Sequence, residues 1–406
     1  MARITLNSTP NSVFSGNDDR SNIIAAGALL TYEYARKGQD AVHKALGSAE
    51  PAATAHLDDK QYKELNERFG KDHLLYAAKK ACANSGKKAP ESFEEFAKRG
   101  QEFYGNSAFY AVLQGIYEDV LTPILPRVYS EAVSVFADVV EVGFAETAAI
   151  TIGSADIPVF QDSAWGASRS VPENRFYEKT VTLNPQPRTA EISIKWHQMV
   201  GNNTDWGKYM ANLVAGMYAK TMALWNAAMT AAASDTSKIP SGLIYNFSSV
   251  NWVTLANKLA ALNNTGIRNL IAYGGAVPLS KVLPTQTTGS TNVNMDAAIA
   301  TLLGRDYVAS GYLGEYMSVR LMPLVDAVIP GTQYSTVSTI LPTDKIWMMS
   351  ASGYKPMTIA YNSYTPITIE IDPGREKNPD FMVKLNMTTA LDSVAVFASK
   401  IGLINI

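Results

Sequence analysis

The chain has a single cysteine, Cys82, among its 406 residues. No intrachain disulfide can form, so the fold must be held by burial and hydrogen bonds, as in a reducing compartment or an assembly built in one. No apolar run reaches the roughly 18 residues that would cross a bilayer, so no transmembrane helix is expected. The opening stretch, MARITLNSTPNSVFSGNDDR, is polar and has no apolar centre, which excludes a signal peptide. Neither sign of charge is in excess. With 35 Lys and Arg against 37 Asp and Glu, the net charge of -2 excludes a strongly basic nucleic-acid binder. No internal repeat is present. The four histidines, His43, His56, His73 and His197, never stand in H-x-x-x-H spacing, and no cysteine pair accompanies them. A zinc site is therefore not expected. No serine sits in G-x-S-x-G, and no Cys–His nucleophile pairing can be assembled. Asp18 and Asp19 lack the ligand spacing of an EF-hand loop. Glu94 and Glu95 read as a solvated helix start. No cofactor, metal or catalytic constellation is expected.

What is present is a large globular chain. Hydrophobic residues make up 47% and aromatics 10%, enough for two or three domains with real cores and far from a disordered composition. Residues 1–21 form a polar arm. Residues 22–125 read as mostly helical: NIIAAGALLTYEYARKGQDAVHKAL and DDKQYKELNERFGKDHLLYAAKKACA carry apolar residues at helical spacing, and Ser92 with Glu95 makes a capping box after Pro90. From about 130 the period changes to that of strands, in VSVFADVVEV, TAAITIG and DIPVF. A polar stretch, QDSAWGASRSVPENRF, leads into YEKTVTLNP and TAEISIKWHQMV. These two are expected to pair as a long projecting hairpin about the turn PQPR. GNNTDWGKYMANLVAGMYAKTMALWNAAMTAAAS follows as one long helix, capped by Asn203 or Thr204 with Asp205 at its positive end. Trp206, Met210, Leu213, Met217 and Leu224 form one apolar stripe on it, and Met222, Trp225 and Met229 a second, so it should pack on more than one side.

Residues 238–350 alternate helix and strand. WVTLANKLAALNN is a helix, LIAY a strand, PLSKVL and NMDAAIATLLG helices. YVASGYLG, SVRLMPLVDAVI and KIWMMSA are strands. Within this region NLIAYGGAVPLSKVL has the outline of a phosphate-binding loop. Its two glycines are adjacent, however, which breaks G-x-G-x-x-G, and Lys281 with Ser280 stands in the wrong order for a P-loop. A turn joining strand to helix is the expected role of Gly274 and Gly275. The tail from residue 351 alternates strictly in ITIEI and MVKLNM about the loop DPGREKNPD, a second long antiparallel pair.

SAWGASRSVPENRFYEKTVTLNPQPRTAEISIKW, NTDWGKYMANLVAGMYAKTMALWNAAM, NLIAYGGAVPLSKVLP and the tail from Lys355 follow one another in an order that resembles the major capsid proteins of tailed bacteriophages, the Hong Kong 97-like fold. The resemblance covers residues 125–406 and rests on element order and local texture. It implies an α+β fold: an N-terminal arm (1–21), a helical N-terminal region (22–125), the start of the P-domain with an extended E-loop hairpin (126–200), a spine helix (201–237), an α/β A-domain (238–350), and a P-domain β-hairpin with the C-terminus (351–406). It further implies a non-enzymatic virion protein, assembled in the host cytoplasm. Such a protein self-associates into the pentamers and hexamers of an icosahedral shell around double-stranded DNA. Portal, scaffold or cement proteins would be partners, and no membrane is involved. Some members lose an N-terminal scaffolding segment; the helical stretch before 125 is expected to be kept as an enlarged N-terminal region. The E-loop assignment makes Trp165, Arg169, Arg175, Glu178, Lys179 and Arg188 candidate intersubunit contacts, with Glu173 and Glu178 among the basic residues favouring ion pairing over DNA binding. Some members crosslink a hairpin lysine to a neighbour's asparagine, but nothing in the sequence identifies a partner for Lys179. A cargo-enclosing, encapsulin-like shell and a soluble α/β enzyme or ligand-binding protein using the cleft near Gly274 are the alternatives.

Overall fold

A computed structural model describes residues 19–45, 57–121, 137–143, 146–153, 178–234, 239–283, 285–288, 291–294, 311–324, 326–329, 331–332, 336–350, 355, 357–362, 367–372, 381–395 and 401–406. In chain order the helices are α1 (Asp19–Ala45), α2 (Asp59–Ser85), α3 (Phe93–Lys98), α4 (Gly100–Tyr104), α5 (Ser107–Leu121), α6 (Trp196–Val200), α7 (Trp206–Ser234), α8 (Ser249–Leu262) and α9 (Ala276–Ser280). The strands before α7 are β1 (Ala137–Val142), β2 (Ala148–Gly153), β3 (Glu178–Leu183) and β4 (Gln186–Lys195). After it come β5 (Ile244–Asn246), β6 (Leu270–Gly274), β7 (Thr285–Thr288), β8 (Thr291–Asn294), β9 (Glu315–Tyr316), β10 (Val319–Pro323) and β11 (Lys345–Ser350). The last four are β12 (Met357–Asn362), β13 (Ile367–Asp372), β14 (Met382–Ala395) and β15 (Ile401–Asn405).

The chain divides into two compact units. The first gathers residues 1–130, 187–218 and 362–390. Its helices begin where side chains satisfy the free amides. Asp58 accepts from Gln61 N at 2.6 Å while Gln61 Oε1 accepts from Asp58 N at 3.0 Å, a reciprocal cap on α2. The expected Ser92–Glu95 box is only half made: Ser92 accepts from Glu95 N, but Glu95 Oε2 turns to Glu91 N at 2.9 Å. The helices do not form a body of their own. Phe69 and His73 of α2 and Tyr117 of α5 stack around Trp206 at the start of α7. Phe96, Phe109 and Tyr110 pack around Trp196, and Phe103 packs on Phe96 and Phe109. The region before residue 125 thus shares its core with the first half of the long helix. In the same unit β14 pairs antiparallel with β13, Ile367 opposite Met387 through Asp372 opposite Met382, which is the closing pair expected from ITIEI and MVKLNM. The rest of its loop, residues 373–380, lies outside the described residues.

The second unit gathers residues 131–186, 219–361 and 391–406. Its main sheet has the order β5-β15-β11-β6-β10-β9. β10 runs parallel to β6 and β15 parallel to β5, while β11 is antiparallel to both its neighbours. Ile346 to Met349 of β11 are all buried, as a central strand covered on both faces requires. The tail therefore does more than close a hairpin: its last strand, IGLIN, is inserted beside β11 in this sheet. α8 covers one face, its first turn capped by Ser248 accepting from Asn251 N at 3.1 Å. LIAY is a strand as expected. PLSKVL is helical only to Ser280, and NMDAAIATLLG falls largely outside the described residues.

The two stripes of α7 are divided between the units. Trp206, Met210, Leu213 and Met217 are buried in its first half, and Met222, Trp225 and Met229 in its second. Leu224 is only half-buried. The cap is Asp205 rather than Asn203 or Thr204: its Oδ1 accepts from Lys208 N at 3.1 Å.

The expected hairpin about PQPR is not formed. β3 pairs instead with β2, Ala148 opposite Leu183 through Gly153 opposite Glu178, and β4 pairs with β14. The Pro185 and Pro187 that flank the turn explain this. Each lacks an amide donor, so a tight ladder cannot continue through them. The expected strand TAEISIKWHQMV stops at Lys195: WHQMV forms α6 instead, and the Trp196 N–H donates to Phe381 O at 2.7 Å.

Candidate functional site

Among the described residues three places could hold chemistry, and each resolves into structure. At the strand–turn–helix, a β-carbon on Gly274 would lie 3.4 Å from Ile346 Cγ1 and Lys345 O and 3.5 Å from Leu279 Cγ. The glycine admits close packing of the sheet, not a ligand. Gly275 has an ordinary φ of -64°, and α9 beyond it is five residues long. The turn is a junction, and no phosphate cradle is built there.

His73 is buried completely between Phe69 and Trp206. Its Nδ1 lies against Phe69 O, which can only accept, so Nδ1 carries the proton and Nε2 accepts from the Tyr117 hydroxyl at 3.2 Å. Burial holds the imidazole down at about 4. The ring is neutral and walled in by aromatics, with no access for a substrate.

An open cleft of about 490 Å³ in the first unit is lined by Tyr34, Asp59, Asn66, Glu67, Thr204 and Asp205 among others. Its polar groups fasten α2 to the start of α7. Tyr62 donates to Asp205 Oδ1 at 2.7 Å, Asn66 donates to Thr204 O at 3.0 Å, and Asn66 Oδ1 accepts from Trp206 N at 2.9 Å. Burial, and then that hydrogen bond to Asp205, push the Tyr62 hydroxyl above its ordinary value, so it stays a neutral donor. Among the described residues no group of three or more His, Cys, Asp or Glu could hold a metal ion, and no helix is long and apolar enough to cross a membrane.

A further candidate is the β2–β3 pair, which carries two of the six expected contact residues. Its base is held in the second unit. Val142, Leu183 and Ala360 form a buried cluster against which Ala148 and Ile150 pack. Asn184 N donates to Asp392 Oδ2 at 3.0 Å and Tyr361 OH donates to Glu141 Oε2 at 3.1 Å. At the other end Gly153 faces Glu178, and residues 154–177 connect them. Of the six candidate contacts, Trp165, Arg169 and Arg175 belong to this connection and lie outside the described residues. Glu178 and Lys179 open β3, opposite Gly153 and Ile152. Arg188 is on β4 in the other unit, half-buried, with no hydrogen-bond partner for its Nε among the described residues. Of the six, only Glu178 and Lys179 share an element among the described residues. What sequence reading missed is a pairing between residues 326–329 and 336–341, where Val328 and Thr339 form an antiparallel bridge; its signal was an uncharged run broken by Pro-Gly.

No protein-family model matches the chain, and no curated protein sequence does. Solved structures do. The chain is similar to the capsid structure of the cyanophage P-SCSP1u, covering 66% of itself and 85% of that chain at 10% identity with a TM-score of 0.39. It is similar to the capsid of the native GTA particle over 68% of itself and 90% of that chain, at 13% identity and a TM-score of 0.41. With the mature capsid of bacteriophage PhiM1 the figures are 67% and 85%, at 13% identity and a TM-score of 0.36. The functional reading rests on the order and anchoring of this chain's own elements.

Proposed function

We propose that this chain is a major capsid protein with the Hong Kong 97-like fold, the subunit of an icosahedral head that encloses the double-stranded DNA of a tailed bacteriophage. One observation carries the reading: a strand pair anchored at its base in a packed core, with a long connection at its far end, is followed by a 29-residue helix, a mixed six-stranded sheet and a closing antiparallel pair. This is the element order that the sequence resemblance implies. A shell subunit must bury edges against several neighbours in closed rings, and an element reaching beyond the core adds area to that interface. A charge balance near zero limits repulsion between crowded copies, and DNA containment requires no base readout. The work of the chain is then assembly, not catalysis.

The test is electron microscopy with light scattering on the purified full-length chain, followed by nuclease treatment. Closed shells protecting DNA are expected. Shells that hold a protein cargo and no DNA would favour an encapsulin-like container. A chain that stays monomeric or dimeric as salt and concentration are raised would overturn the shell reading.

A further inference from the structure

Charge is balanced over the whole chain but not along α2. In the first half of the helix, cations pair with acids one turn on: Lys60 with Glu64 at 3.9 Å and Arg68 with Asp72 at 3.4 Å. After Asp72 the pattern stops. Residues 73–90, HLLYAAKKACANSGKKAP, hold Lys79, Lys80, Lys87 and Lys88 and no Asp or Glu, in a chain whose acids outnumber its bases, 37 to 35. All four lysines are exposed. Among the described residues Lys79, Lys80 and Lys87 have no carboxylate within ion-pair distance, and Lys88 reaches only Glu91, at 3.5 Å in open solvent. Arg99 takes two neighbouring acids, Glu95 at 3.6 Å and Glu102 at 2.9 Å. The backbone that carries the lysines is fixed. Gly86 ends α2 at φ 66°, a left-handed value that suits glycine, and Lys87 N donates to Cys82 O at 3.0 Å. Arg99 donates to Lys88 O at 3.0 Å, and the Lys80 ammonium lies 5.5 Å from the centre of the Tyr76 ring.

Four like charges on one short surface repel each other unless a polyanion covers them. The helix dipole favours Lys87 and Lys88 beyond the end of α2, but Lys79 and Lys80 stand more than a turn inside it, where that effect has faded. The surroundings say which polyanion. Between the two lysine pairs the exposed residues are small, Ala83, Asn84, Ser85 and Gly86, and no large apolar side chain is exposed between residues 73 and 90. A folded protein partner would need an apolar centre, and lysine is depleted at such interfaces. A phosphate backbone needs neither: it takes point charges and a surface low enough to approach. The rise from Lys79 to Ser85 is about 9 Å, along which a DNA duplex presents about five phosphates. We propose that the Lys79–Lys88 surface binds the phosphate backbone of duplex DNA without reading its bases, and is the face this chain turns toward the packaged genome. The inference rests on the shell reading and gives the helical region before residue 125 a task of its own.

The full-length chain tests it by titration against a labelled duplex of arbitrary sequence between about 50 and 200 mM salt. The comparison is a variant carrying Lys79→Gln, Lys80→Gln, Lys87→Gln and Lys88→Gln together. Because all four positions are exposed, it should melt like the parent. Four lost phosphate contacts mean that the parent's affinity should fall about 100-fold more than the variant's across that salt range. A duplex of unrelated sequence should bind the parent equally well, and arginine at all four positions should keep the binding and its salt dependence. Equal affinity and equal salt dependence in parent and variant would overturn the DNA surface, as would a parent that binds poly-glutamate at least as tightly as the duplex. Either result leaves the shell reading intact. A parent that loses DNA with the four lysines but never forms shells would keep the surface and overturn the shell.

Discussion

His73 shows what one side chain does to the first unit. It lies among Phe69, Tyr117 and Trp206, with a backbone carbonyl on Nδ1 and a phenol on Nε2, and no carboxylate is among these partners. A cation formed there would have no counter-charge, so burial keeps the folded ring at about 4 against 6.5 for a free histidine. The unfolded chain therefore binds the proton that the folded chain refuses. Stability is unaffected above about pH 6.5, falls as pH drops from there, and levels off below about 4, once the folded ring is protonated too. The loss over that window is on the order of 3 kcal/mol. Denaturant unfolding followed between pH 7 and pH 4 should show it, and His73→Gln, neutral throughout, should flatten that part of the profile whatever its own stability. A slope unchanged by the substitution would mean the loss comes from other groups.

At the scale of elements, α8 lies so close to the sheet that its contact residue in β15 must be glycine. A β-carbon on Gly402 would come within 2.6 Å of Leu255 Cδ1 and 3.0 Å of Leu259 Cδ1, both buried side chains. Gly402→Ala should therefore lower stability by about 1–3 kcal/mol, as overpacking does. Leu255→Ala should also destabilise, by leaving a cavity, but the double variant should lose less than the sum because the new methyl fills the vacated space. Additive losses in a double-mutant cycle would refute the contact. Elements of this kind were largely legible in the sequence. Periodicity placed α2, α7 and α8, the apolar runs placed β6 and β11, and strict alternation paired β13 with β14. Pairing was legible for β13 and β14, whose alternating runs flank one loop, but not for β3 and β4, although only two residues separate them. The alternation in β3 and β4 is the same whichever strand lies alongside, so it could not show that two prolines divert β4 to β14 while β3 turns back to β2. The IGLIN strand gave no sign of its place beside β11, since long-range pairing leaves no local mark. The candidate contacts inherited this error: Arg188 was grouped with Lys179 through a hairpin that the chain does not form.

For the whole molecule the corrected pairing changes where a projection begins and ends. If the reach of the chain lay in residues 163–190, removing them would delete β3, whose Leu183 is buried with Val142 and Ala360, along with the first part of β4. Loss of assembly would then be indistinguishable from loss of the fold. The register of β2 with β3 instead places the removable segment at 154–177, beyond the pair Gly153 and Glu178. Replacing it with a short Gly-Asn turn leaves every described strand in place and gives the pair a hairpin turn it can accept. The prediction is a chain with parental helix content and parental melting that forms no closed shells, because the segment carrying Trp165, Arg169 and Arg175 no longer reaches a neighbour. Arg169→Ala and Arg175→Ala together should weaken assembly less than the replacement and make it less sensitive to salt, since exposed ion pairs contribute modestly and are screened. Shells formed at normal yield by the shortened chain would show that copies are held by their packed units alone, and the β2–β3 pair would lose its role as the clasp between subunits.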